Sequence, residues 1–167
     1  MRHKAPAFTF VELVMVIAIV AILSVSLALS FLQLRLNARF SAAKTDVVDL
    51  IQKARSLSLS NILVNGGEPT DYYQLTISSS QVTLDAYNSV DDENIETLTL
   101  DSDFSFDTEL HVLYFPPYGD VCFNPAVDYS SCDHTTIENV TTLSDSSGAK
   151  TATFTISPNG GYVEVTD

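Results

Sequence analysis

Between Lys4 and Arg35 the chain carries one charge, Glu12, and it stands at the head of the apolar run Leu13–Leu32 (LVMVIAIVAILSVSLALSFL). Such a carboxylate costs on the order of 2.5–3.5 kcal/mol at the centre of a membrane helix and less toward its end, so it needs a partner. Cys122 and Cys132 have nine residues between them, in a segment rich in Pro, Asn, Asp and Ser. In an oxidising compartment they would close a short loop, a disulfide contributing roughly 3 kcal/mol; a free or metal-bound pair is the alternative. A zinc site is not expected, because there is no second Cys pair and His134 alone cannot complete a tetrahedron. Asp101, Asp103, Ser105 and Asp107 are spaced like oxygen ligands for calcium. However, Phe106 stands where such a loop needs Gly, and Val112 where it needs a bidentate Glu. These acids read instead as the edge of a strand with Phe104 and Phe106 on one face, and Asp91–Glu93 as a solvated turn. Of the three histidines, His3 lies near the N-terminus, and His111 falls within a strand pattern. No G-x-S-x-G, H-E-x-x-H or phosphate loop is present. Neither an enzyme nor a metal or other cofactor is expected.

The elements that position these groups divide along the chain. Residues 1–7 (MRHKAPA) form a short basic leader, and residues 8–32 form an apolar helix about as long as a bilayer core requires. Over 33–64 the apolar residues Phe40, Ala43, Val47, Leu50, Ile51, Ala54 and Leu57 recur at three- and four-residue spacing between charges. That spacing predicts an amphipathic continuation of the same helix, with one face to lay against a domain. Asn65-Gly66-Gly67 and Pro69 end it. From 65 to 167 the period changes to two, predicting strands at 72–78, 81–87, 95–101, 110–115, 151–157 and 162–166. Residues 116–133, with Pro116, Pro117 and Pro125, read as a long loop. The expected fold class is α+β: a long N-terminal helix, its first half transmembrane, then a mostly antiparallel β domain.

Charge follows the same division. Seven of eight basic residues precede Ser56, and from Ser56 onward one lysine faces eighteen Asp and Glu, a net of −17. Such a domain repels phosphate backbones, so nucleic acid is not an expected partner. A secretory signal peptide is the plain alternative for the N-terminus, with Ser26-Leu27-Ala28 as a small-x-small cleavage site. The apolar core is too long for that, and Glu12 would burden it without benefit.

The hexapeptide FTFVEL, Phe8–Leu13, with its basic leader and following apolar run, closely resembles the FTLIEL signature of type IV pilins and of the pseudopilins of type II secretion. The resemblance covers roughly the first thirty residues. It implies cleavage by a prepilin peptidase between Ala7 and Phe8 on the cytoplasmic side, then N-methylation of Phe8. Glu12 would pair with the new N-terminal amine of a neighbouring subunit, setting the axial register of a filament. The implied location is the bacterial inner membrane, single pass, with the N-terminus cytoplasmic and the β domain periplasmic, and then a filament or pseudopilus. Two departures stand out: Ala7 replaces the usual Gly, and the apolar helix lacks the proline that many major pilins carry. The second is similar to minor pilins and pseudopilins. Lys53–Ser60, Phe115–Gly119 and Thr153–Val163 further resemble H-type minor pseudopilins and FimT-like minor pilins. The resemblance thus implies a structural subunit whose partners are the peptidase, other subunits and the membrane. The alternative is a filament-tip binding module whose acidic β domain engages a surface or secreted substrate.

Overall fold

The computed structural model describes residues 9–60, 69–88, 92–123 and 139–167. One helix among the described residues, α1 (Phe10–Ser60), runs for 51 residues, uninterrupted by Gly or Pro. By contacts the chain divides after Arg39 into two compact units. In the first, the large apolar side chains that are described between Phe10 and Leu34 are solvent-exposed, by half or more. In the second, α1 buries Phe40, Val47, Leu50, Ile51, Ala54 and Ser58, while Ala43 and Leu57 stay partly exposed. The periodicity expected over 33–64 thus places one face in a core as far as Ser60; residues 61–64 lie outside the described residues.

Among the described residues nine strands follow: β1 (Tyr72–Ile77), β2 (Gln81–Tyr87), β3 (Asp92–Thr99), β4 (Phe104–Phe106), β5 (Leu110–Phe115), β6 (Asp120–Cys122), β7 (Asn139–Asp145), β8 (Thr151–Ile156) and β9 (Val163–Thr166). They form two antiparallel sheets, ordered β3-β2-β1-β5-β6 and β4-β7-β8-β9. Alternation sets the faces: Tyr73, Leu75 and Ile77 of β1 and Val82, Leu84 and Ala86 of β2 point inward. The second sheet contributes Phe104, Phe106, Leu143, Ala152, Phe154 and Ile156 to the core. Phe40 of α1 meets Phe104 edge-on at 5.6 Å, and Phe106 meets Phe154 at 5.9 Å. At the surface, Lys44 reaches Asp167 at 2.6 Å and Lys53 pairs with Glu96. Each exposed pair contributes only about 0–1 kcal/mol. The long helix followed by antiparallel sheets is α+β, as expected.

Three strands depart from the sequence reading. β6 lies inside the stretch read as loop, pairing Leu113 with Cys122 and Phe115 with Asp120. At three residues it is too short to display a period. β7 is not among the expected strands: its inward set is Thr141, Leu143 and Asp145, two of three polar, while Val140 faces out. Burial of Thr141 and Asp145 is made possible by hydrogen bonds, and these the apolar pattern does not reveal. Asp145 accepts from Ser147 Oγ at 2.9 Å and from Lys150 N–H at 3.2 Å. β3 begins at Asp92, earlier than the expected Ile95, as an acidic edge strand with little burial on either face. Charges on such an edge discourage further strand pairing.

Candidate functional site

The first turn of α1 places Glu12 where two properties of the chain meet, a helix N-terminus and an apolar surface. Thr9, immediately before the helix, and Glu12, three residues later, cap each other. Glu12 Oε2 accepts from Thr9 N–H at 3.0 Å and from Thr9 Oγ1–H at 2.9 Å, while Thr9 Oγ1 lies 3.3 Å from Glu12 N–H. This is a capping box, which satisfies backbone donors that a helix start otherwise leaves open. A carboxylate there also faces the positive end of the helix dipole.

Glu12 therefore has a partner in its own chain, a correction to the picture of a carboxylate with none. The signal in the sequence is T-x-x-E directly before an apolar run, Thr9 to Glu12. The box supplies hydrogen bonds but no opposite charge, and both bonds fall on Oε2. Oε1 receives none from the described residues. One oxygen and the whole formal charge remain available to a cation outside the chain.

Below Glu12 the helix presents a continuous apolar surface, with Phe10 80% exposed and Ile22 69% exposed. The polar atoms in this run are satisfied internally. Ser24 Oγ donates to Val20 C=O at 2.7 Å, Ser26 to Ile22 C=O at 3.2 Å and Ser30 to Ser26 C=O at 3.2 Å. The helix is long and apolar enough to cross a membrane. It is uncovered along this length, so lipid or other apolar helices are its fitting surroundings.

Of the remaining sequence-predicted residues, those that are described belong to the second unit. Ala7 and Phe8 lie outside the described residues. Cys122 is buried in β6 and disulfide-bonded, and Cys132 lies outside the described residues. In the former calcium candidate, Ser105 sits in β4 opposite Ser144, and Asp107 is engaged elsewhere. Asp107 Oδ1 accepts from Thr142 N–H at 2.8 Å, Thr108 Oγ1 at 3.1 Å and Thr141 Oγ1 at 3.3 Å. Burial alone would raise its pKa, yet these bonds together hold it below the usual carboxylate range. It fastens the β4–β5 connection to β7. Among the described residues no three His, Cys, Asp or Glu side chains gather where they could hold a metal ion. Comparison of the chain with family models, curated proteins and solved structures finds no match.

Proposed function

We propose that this chain is a structural subunit of a type IV pilus or of a type II secretion pseudopilus, a minor pilin or minor pseudopilin. In this reading a prepilin peptidase removes residues 1–7 in the bacterial inner membrane, and Phe8 becomes the methylated N-terminus. The β domain then stands in the periplasm, and the subunit enters a filament through α1. Its role is structural rather than catalytic.

The observation that carries the reading is Glu12 on the first turn of an uncovered apolar helix, with Oε1 and its charge uncommitted. Sibling helices would cover the apolar surface, and the α-amine released at Phe8 of a neighbour would meet the open side of the carboxylate. In a low-dielectric setting an ion pair of this kind fixes register more than it adds stability. Removal of the leader serves the same end, since it creates the amine and takes away Arg2 and Lys4, which hold the N-terminus on the cytoplasmic side.

The capping box allows a sharp test. Glu12→Gln retains an oxygen that accepts from Thr9 and loses the charge, whereas Glu12→Ala loses both. Each variant is expected to insert in the membrane, and both are expected to be lost from filaments to a similar degree. Normal incorporation of Glu12→Gln would reduce Glu12 to a helix cap and remove the pairing mechanism.

A further inference from the structure

We propose that a groove between the last turns of α1 and the open edge of β9 binds an extended, carboxylate-bearing peptide strand from another protein chain. The groove measures about 620 Å³, and Arg55, Ser56 and Leu59 on the helix face Gly161, Tyr162 and Val163 across it.

Arg55 is held as a fork. Its Nε donates to Gly160 C=O at 2.6 Å, and its guanidinium carbon lies 3.9 Å from the centre of the Tyr162 ring. One bond and one stacking contact fix both the position and the plane of the group. Its terminal nitrogens find no acceptor among the described residues, so their donors face the groove in the geometry that a carboxylate accepts bidentately. The described lining contains no carboxylate. In a unit, Phe40–Asp167, of net charge −16, this is a place where an anionic group meets a fixed cation with no acid in the described lining.

The opposite wall supplies the backbone. Among the described residues β9 ends its sheet and pairs only with β8. Ser157 N–H donates to Tyr162 C=O at 2.8 Å, which sets the alternation of the antiparallel ladder. Val163 and Val165 therefore direct their N–H and C=O groups away from β8, along the open edge. Acidic side chains guard β3, the edge of the other sheet, but on the β9 side Val163 lines the groove. Edge pairing gives affinity, and the fixed arginine selects a residue with a carboxylate. A second copy of this domain is the poorer occupant, because two units of net −16 repel.

The test uses the full-length chain in detergent micelles. The probe is a fluorescent peptide with blocked ends, Thr-Ile-Glu-Ile-Thr, and its twin with Gln in place of Glu. The Glu peptide is expected to bind saturably at about 1 mM or tighter, and the Gln peptide roughly tenfold more weakly. Arg55→Lys is expected to erase that preference, because a point charge cannot reproduce the fork. Val163→Pro removes an outward N–H without breaking the β8 ladder, and is expected to weaken both peptides alike. Thermal unfolding confirms that each variant is folded, and Glu12→Ala is expected to bind like the parent, which separates this site from the filament reading. Absence of saturable binding overturns the proposal, as does an unchanged Glu preference in folded Arg55→Lys. Sedimentation showing a dimer that Val163→Pro dissolves would place a second copy in the groove and overturn it equally.

Discussion

Gly161 joins the core to the Arg55 groove, and replacing it by alanine has consequences that can be worked out atom by atom. Its φ is +64°, in the left-handed region, where a side chain costs about 1–2 kcal/mol. A Cβ at this position would sit 2.5 Å from Cε1 of Tyr114 and 2.9 Å from Cγ2 of Val121. Both neighbours are buried, Tyr114 completely, so neither can swing into solvent. Relieving such overpacking costs a further 1–3 kcal/mol or so. Gly148 is the matched control, with φ +69° and no atom within 4 Å of where a methyl group would stand. Gly148→Ala should therefore show the backbone strain alone. Urea unfolding of the full chain in micelles, followed by tyrosine fluorescence, should place Gly161→Ala about 2–5 kcal/mol below the parent and Gly148→Ala about 1–2 kcal/mol below it. Because the Gly160 carbonyl holds Arg55, Gly161→Ala should also weaken binding of the Glu peptide. If the two variants lie within about 0.5 kcal/mol of each other, the packing of Tyr114 against this turn is refuted.

Tyr114 carries a buried hydroxyl with no hydrogen-bond partner among the described residues, and burial pushes its pKa well above 10.0, with Arg55 opposing. The folded state thus holds this proton longer than the unfolded state, so stability is unaffected by this titration below about pH 10 and declines as pH rises further. Tyr114→Phe should stabilise the domain by about 1 kcal/mol at neutral pH and flatten the alkaline decline, read as denaturation midpoints at both ends. For Asp107 the sign is opposite: its lowered pKa gives stability that is present above the ordinary carboxylate pKa and lost as pH falls through the folded value. Asp107→Ala should cost about 1 kcal/mol at neutral pH, with the penalty shrinking in unfolding curves taken below about pH 4. Thr9→Val should remove about 1 kcal/mol of capping and speed hydrogen exchange in the first turn of α1, leaving insertion unchanged. Unchanged exchange would deny the capping box.

Much of this molecule is legible from spacing alone, and what is not has a common cause. The continuity of α1 follows from an apolar run joined to a three-and-four pattern with no breaker between them. β1, β2, β5, β8 and β9 follow from period two, because each is long enough to alternate or is bounded by turn residues. β7 escapes that reading because Asp145 and Thr141 are buried through hydrogen bonds to residues that an apolar pattern does not mark. Glu12 is legible as a residue with a task, and its first partner, Thr9, is only three residues away, although the apolar run draws the eye past it. Arg55 and Gly160 are separated by 105 residues, so no local pattern announces their bond. Local periodicity reports what a segment buries. It does not report which distant backbone a polar side chain will meet.

The state of the mature N-terminus tests the filament reading most directly. Intact-mass and N-terminal peptide spectrometry of the chain purified from its native membrane is expected to show a start at N-methyl-Phe8. Glu12 would then be the fifth residue after a free amine, as the pairing mechanism requires. A chain that still begins at Met1, or one that starts at Leu29 after removal of the apolar run, would contradict it.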